Sequence, residues 1–307
     1  MEYIKGTLDF FVKEPTVLSI GKFDGLHRGH ELLMDSVFEK KKEGLKAAIF
    51  TFDIPPKKAI EDDTGALLTT NEEKMHLFEK IGIDYLIECP FTDEVMHMPA
   101  EDFIKMLVKR LSARCIVAGT DCSFGYQRRG DYKMLKQYAP VYGYEARIVD
   151  KMQYKGRDIS STYIREEIAT GNMEKAHLLL GYAYFVQGEI VHGNQIGRTI
   201  GIPTINLIPP KEKLLPPFGV YVAEAEIEGK SYKGIANVGC KPTIEGNNPI
   251  GVETHLLDFS GDLYGKHAKV SLLKRVRGEK KFHGIEELKQ QMEKDVLFSR
   301  SYFRVHE

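Results

Sequence analysis

The sequence lacks the features that mark membrane and secreted proteins. No apolar run approaches the roughly 18 residues of a membrane-spanning helix, and the start shows no basic-then-apolar leader pattern. Cysteine is scarce. The four cysteines, at 89, 115, 122 and 240, include no CxxC pair, which argues against a zinc site or a disulfide framework and suits a reducing compartment. Neither sign of charge is in excess: 43 Lys and Arg stand against 44 Asp and Glu, so a bulk nucleic-acid binder is not expected, although a local basic patch remains compatible. There is no internal repeat and no low-complexity linker. The expectation is a soluble cytoplasmic protein without nucleic-acid or membrane partners, its oligomeric state unread. At 307 residues the chain is long enough for two domains.

What is present first is a glycine-punctuated junction. Thr16 to Ile20 reads as a buried strand, and a helical pattern starting near Gly29 carries Leu32, Leu33 and Val37 on one face. Between them lie Gly21, Phe23, Asp24 and Gly25, with His27 and His30 at the mouth of the helix. Glycines let the backbone approach a ligand, and the free N–H groups of a helix start favour an anion. The stretch reads as a phosphate cradle; an ordinary βα turn with two surface histidines is the plain alternative. An unperturbed imidazole, with a pKa of about 6.5, leaves both protonation states accessible.

Strand and helix patterns then alternate. Leu45 to Phe52, Tyr85 to Ile87, Cys115 to Ala118 and Tyr144 to Val149 read as strands; Asn71 to Ile81 and Ala100 to Leu111 read as helices. Alternation of this kind predicts a Rossmann-like parallel sheet with ligands beyond the carboxyl ends of the strands. The loop after Ala118 carries Asp121, Phe124, Gly125, Arg128 and Arg129, able to grip phosphate and stack on a ring, or simply an exposed loop. Ser160, Ser161 and Thr162 suit a helix cap. Arg165 in the first turn is the odd member, because a cation near a positive helix end is unfavourable unless an anion lies between.

From about Gly181 the period changes from helical to alternating. Tyr184–Val191, Gly219–Ile227, Ser231–Val238, Val252–Phe259 and Ala268–Val276 read as strands of a small antiparallel barrel, followed by a terminal helix over Ile285–Val296. The expected domains are therefore 1–180 and 181–307. Gly193, Gly197, Arg198 and Gly201 form a second phosphate-ready loop, and Thr204 and Asn206 place two hard oxygen ligands on one side of an extended segment, a set suited to Mg²⁺. A hairpin turn with a capping Thr is the structural alternative for any one piece. On the next strand Glu253, His255 and Leu257 share a face, read here as the inward one, where a carboxylate needs a partner or a task.

Taken in order, these stretches resemble one family, the bacterial bifunctional riboflavin kinase/FMN adenylyltransferases, also called FAD synthetases. Gly21 to His30 matches its Gly-x-Phe-Asp-Gly-x-His-x-Gly-His signature, Gly119 to Gly125 its Gly-x-Asp-x-x-Phe-Gly loop, and Ser160 to Arg165 its Ser-Ser-Thr-x-Ile-Arg stretch. Gly197 to Asn206 and Glu253 to Phe259 match its kinase motifs, and Arg275 to Glu279 with Phe282 its flavin-side segment. The resemblance implies a nucleotidyltransferase-type first domain and a riboflavin-kinase-type barrel with a terminal helix. It implies ATP, riboflavin and FMN as substrates, Glu253 as the kinase base, and Mg²⁺ on Thr204 and Asn206. His27, His30 and Arg165 would serve adenylyl transfer. Gly21, Phe23, Asp24, Gly25, Gly29, Ser160, Ser161 and Thr162, and in the barrel Gly193, Gly197, Arg198 and Gly201, would hold ATP. Asp121, Phe124, Gly125 and Arg128, and in the barrel Arg275, Arg277 and Phe282, would meet flavin. One stretch departs: the usual Thr-Phe-Asp-Pro-His-Pro is Thr51-Phe52-Asp53-Ile54-Pro55-Pro56, without the histidine. A kinase whose first module binds nucleotide without adenylylating is thus the alternative, and a flavin- or nucleotide-sensing regulator a second.

Overall fold

The computed structural model describes residues 1–53, 66–193, 197, 201–240 and 250–306. It divides into two compact units, Met1–Ser161 and Thr162–Glu307.

The first unit is built on strands β1 (Glu2–Lys5), β2 (Thr16–Ile20), β3 (Lys46–Phe52), β4 (Tyr85–Cys89), β5 (Ala113–Gly119) and β8 (Glu145–Val149), the last reached after a two-strand hairpin, β6 (Ser123–Phe124) with β7 (Gly130–Asp131). The sheet is ordered β1-β4-β3-β2-β5-β8, and each neighbouring pair is parallel. Helices α1 (Arg28–Lys42), α2 (Asn71–Ile81), α3 (Asp93–Met96), α4 (Ala100–Arg110) and α5 (Tyr132–Tyr142) connect the strands. A second short hairpin, β9 (Gln153–Tyr154) with β10 (Arg157–Asp158), follows β8. Alternate residues of one strand feed two cores: Leu18 and Ile116 pack with Phe50 and Ile104, while Val17 and Val117 pack with Val37 and Phe78. Apolar side chains on both faces are what a parallel sheet covered by helices on each side requires. The helix over Asn71–Ile81 has the predicted ends because Thr70 and Glu73 form a reciprocal capping box and Gly82 stops it at φ +89°. From β2 the chain fills the sheet toward β3 on one side and β5 on the other. The crevice at the carboxyl ends of β2 and β5 is therefore the switch point where such sheets bind ligands.

The second unit opens with α6 (Ser161–Thr170) and α7 (Met173–Leu180), continues through β11 (Phe185–Glu189), β12 (Ile205–Leu207), β13 (Gly219–Ile227), β14 (Lys230–Cys240), β15 (Ile250–Leu256) and β16 (His267–Gly278), and ends in α8 (Ile285–Val305). Periodicity sets a boundary near 180, whereas packing divides the chain at 161. The two differ because α6 and α7 are helical in pattern yet rest on the barrel: Glu174 pairs with Lys274 at 2.9 Å, and Gly171 abuts Arg275. The antiparallel strands run β11-β16-β13-β14-β15-β12, and among the described residues a bridge from Val191 to Asn206 brings the two edges together into a nearly closed barrel. Register shifts at Val220/Tyr221 and Val222/Ala223 bend the long strands around it.

Two expectations need correction. The terminal helix does not end at Val296 but runs to Val305, held by Ser299, whose hydroxyl donates to the Gly234 carbonyl at 2.8 Å. Glu253 does not face the barrel interior. The inward residues are Val252, Thr254 and Leu256, all buried, with Ile205, Ala236 and Tyr221 in register beside Thr254. Glu253 lies on the opposite, outer face and is half-buried.

Candidate active sites

In the first unit, β2 delivers the chain into a turn that only an unusual backbone can make: Phe23 takes φ +46° while fully buried, and Gly25 takes φ +67°. Asp24 clamps this turn. Its carboxylate accepts from the backbone N–H groups of Leu68 at 2.8 Å and Thr69 at 3.1 Å, and the Thr69 hydroxyl accepts from Gly25 N at 3.0 Å. Ser161 donates to the Asp24 carbonyl at 2.7 Å. The expected phosphate-binding role of Asp24 and Ser161 is thus overlaid by a direct role in shaping the cradle. At Gly29 a β-carbon would stand 2.9 Å from both the His27 ring and the Ile159 carbonyl, so the close fit of helix start and neighbouring loop requires glycine.

His27 caps α1 with extended backbone and no side-chain bond to the helix. Its ring stacks on that of His30, and Phe23 lies against the far side of the pair at 5.1 Å from His30. Burial pushes His27 down to about 4, partly offset by its own backbone and by the Asp121 carboxylate. Burial, then the charge on His27, holds His30 well below the usual imidazole value, with the Gly25 backbone opposing. Both imidazoles are therefore neutral at neutral pH, which narrows the two-state expectation to one.

Within the β5 loop the candidate residues part company. Asp121 is exposed and pairs with Lys151 at 3.3 Å. Gln127 and Arg128 are consecutive left-handed residues at φ +54° and +58°, and Arg128 Nε donates to Ser123 at 3.0 Å, so this tip is a strained, ordered turn. Gly125, at φ +72°, passes so close to Ala100 that a β-carbon would not fit. Phe124 is buried with its ring stacked on Phe103 at 5.5 Å; in this arrangement it supports the loop from beneath and offers no open face to a flavin ring. Thr162 and Arg165 fall on α6 within the second unit, and Ser160 lies just before that helix.

In the barrel, the extended segment leading into β12 places Thr204 and Asn206 two residues apart on one side. The glycine loop is pressed onto both: a β-carbon on Gly193 would stand 2.5 Å from the Asn206 amide nitrogen, and one on Gly197 would lie 3.7 Å from the Thr204 methyl and closer still to the Ile202 carbonyl. Gly201 turns at φ +80°. Arg198 lies outside the described residues, as do Ile54, Pro55 and Pro56. Asn206 pairs in register with Glu253, and Glu253 with Asn237, so these three side chains form one row on the outer face. Among the described residues there is no cluster of three His, Cys, Asp or Glu side chains suited to a metal. The neutral hydroxyl and amide oxygens of Thr204 and Asn206, with the glycine backbone against them, are instead the sparse hard-oxygen set that leaves room for phosphate oxygens and water on Mg²⁺. Arg277 is engaged by Asp295 of α8 through three contacts of 2.7–3.1 Å, and its guanidinium sits 5.9 Å from the Phe282 ring centroid. Arg275 packs against Gly171 and reaches the Phe218 carbonyl at 3.4 Å.

One residue escaped sequence reasoning. Lys74 of α2 is buried in a small pocket at the ends of β2 and β3, lined also by Lys22, Asp24, Thr51, Thr69 and Asn71. Burial lowers its pKa, while Glu88 and Asp24 pull the other way. The signal was available: Lys74 is a charge on the same helical stripe as Leu77 and Phe78.

A parallel sheet with a helix start at its switch point, joined to a barrel that carries paired side-chain oxygens beside a carboxylate, is the architecture of a two-module transferase. Two family profiles match in that order, FAD synthetase over residues 11–163 and riboflavin kinase over 180–303. The bifunctional riboflavin kinase/FMN adenylyltransferase of Escherichia coli K12 is 36% identical over 99% of this chain and 98% of its own length, and that of Bacillus subtilis 34% identical over 94% and 92%. A solved structure from Streptococcus pneumoniae, described as a macrolide-efflux protein, superposes with TM-score 0.86 at 32% identity, covering 97% of this chain and 98% of that one. The chain belongs to the bifunctional riboflavin kinase/FMN adenylyltransferase family. Among its described residues no helix is long and apolar enough to cross a membrane.

Proposed function

We infer that the two reactions of the family are divided between two sites of this one chain, with the functional boundary near residue 180. In the barrel, riboflavin is phosphorylated to FMN. Glu253 takes the proton of the terminal ribityl hydroxyl as that oxygen attacks the γ-phosphorus of ATP, and ADP leaves. The observation that carries this reading is the register of Asn206 opposite Glu253, which sets a base one strand spacing from an oxygen ligand. Thr204 and Asn206 would hold Mg²⁺, which when bound neutralises charge on the polyphosphate. Gly193, Gly197, Arg198 and Gly201 cradle that polyphosphate. Arg275, Arg277 and Phe282 lie on the flavin side.

In the first unit, FMN is adenylylated to FAD with release of pyrophosphate. The nucleophile is a phosphate already anionic at neutral pH, so no strong base is needed. The task is to align two polyanions and stabilise the leaving group. Neutral His27 and His30 and the start of α1 with Gly21, Gly25 and Gly29 supply donors for it. Asp121, Gly125 and Arg128 border the flavin.

A chromatographic time course with riboflavin, ATP and Mg²⁺ that resolves FMN from FAD tests both halves. Glu253→Ala is expected to abolish FMN formation while still converting supplied FMN to FAD. His30→Ala is expected to do the reverse. Near-normal turnover by Glu253→Ala, or joint loss of both activities in His30→Ala, would overturn the division.

A further inference from the structure

The row on the outer face of the barrel extends beyond the two residues used so far. Read across the strands, the register runs Asn206 on β12, Glu253 on β15, Asn237 on β14 and Val220 on β13, with Arg277 on β16 opposite Val220. Neighbouring strands are about 4.8 Å apart. Asn237 therefore stands one strand spacing from the base, on the side away from the metal ligand and toward Arg277 and Phe282. A substrate whose terminal hydroxyl lies at Glu253 and whose ring lies toward Arg277 must lay the chain between them across Asn237.

The local structure keeps that position open and polar. Asn237 is exposed, whereas Ala236 and Val238 on either side of it turn inward and are buried. Two residues along the same face, Gly239 leaves room for the Glu279 carboxylate: a β-carbon there would meet Glu279 Oε1 at 2.7 Å and Asn237 Nδ2 at 3.5 Å. Asn is a poor strand former, and β14 is an interior strand of this sheet, between β13 and β15. Stability alone favours a β-branched residue at such a place. A primary amide instead offers two donors and an acceptor side by side, the set that adjacent hydroxyl groups can use.

We propose that Asn237 is a specificity residue of the kinase site, hydrogen-bonding the secondary hydroxyls of the ribityl chain while the terminal hydroxyl lies at Glu253. The proposal rests on the reading of Glu253 as the base. It explains how a site of this kind selects a polyol side chain, because an alkyl chain of equal length would leave the amide unpaired.

The test compares riboflavin with a flavin carrying a plain alkyl chain of the same length that ends in the one terminal hydroxyl. In purified full-length Asn237→Ala, KM for riboflavin is expected to rise about tenfold with little change in kcat, while the alkyl analogue keeps its kinetics within about twofold. Unchanged turnover of the analogue also certifies that the barrel is folded. Equal losses for both substrates, or no loss for either, would overturn the proposal while leaving Glu253 as base. Turnover of riboflavin by Glu253→Ala would overturn both.

Discussion

The imidazole rings of His27 and His30 stack with centroids 3.8 Å apart and 15° from parallel, and the Nδ1 of each is buried with no hydrogen-bond partner among the described residues. Two imidazoles in that arrangement can be neutral together far more easily than charged together. The two imidazoles are therefore assembled uncharged, and on the proposed reading a bound polyphosphate is what would draw protons or donated hydrogen bonds out of them.

This arrangement sets a pH dependence. The folded value of His27, about 4, lies below the unfolded value of about 6.5. Between the two, the unfolded chain holds more protons, so the stability of the first unit falls as pH drops from about 6.5 toward 4. The full difference is worth about 3 kcal/mol from His27 alone. Exchange protection of the α1 amides, followed through this window, should decline more steeply in the natural chain than in His27→Gln. Parallel curves would show that the histidine carries no such linkage.

Gly193→Ala probes the barrel cradle. A methyl group there would push on the Asn206 amide, whose nitrogen and oxygen lie 2.5 and 2.8 Å from it. FMN formation is expected to fall more than about tenfold, with half-saturation moving to higher Mg²⁺, while FAD formation from supplied FMN is unchanged. Initial rates measured against Mg²⁺ concentration decide it.

Asp295→Ala removes the partner of a half-buried arginine. Asp295 is 6% exposed and Arg277 22%, and Gln291 braces the same carboxylate at 2.9 Å. Leaving Arg277 without its partner should lower the stability of the barrel by about 3 kcal/mol and raise KM for riboflavin, because one pair holds α8 and the arginine proposed on the flavin side. Denaturant unfolding and kinase kinetics on the same preparation test the two effects together.

Much of this was legible in the chain, and the exceptions share a cause. Thr16–Ile20 and Asn71–Ile81 were found because a strand buried on both faces reads as an apolar run and a capped helix announces both ends. The edge strand Glu2–Lys5 is too short and too exposed to show a pattern. The helix Tyr132–Tyr142 carries Pro140 in its interior, and α8 beyond Val296 buries Ser299 where an amphipathic pattern calls for an apolar residue. The outer-face position of Glu253 escaped for a different reason: a period of two separates the faces of a strand without saying which is inside, and that is settled only when Thr254 is found packed with Ile205, Ala236 and Tyr221. Residue types at the sites were readable; what they lean on was not.

The bridge that brings the barrel's edges together runs through Asn206. Its backbone carbonyl accepts from Val191 N at 2.9 Å, while the side chain of the same residue faces the glycine loop. The seam of the barrel and the proposed seat of the cation thus coincide. On that reading, a fluctuation that unzips the seam also loosens the contact of Gly193 with Asn206, and a ligand held by Asn206 stitches the seam shut. Closure of the barrel edge and occupancy of the proposed cation site are then linked through one residue.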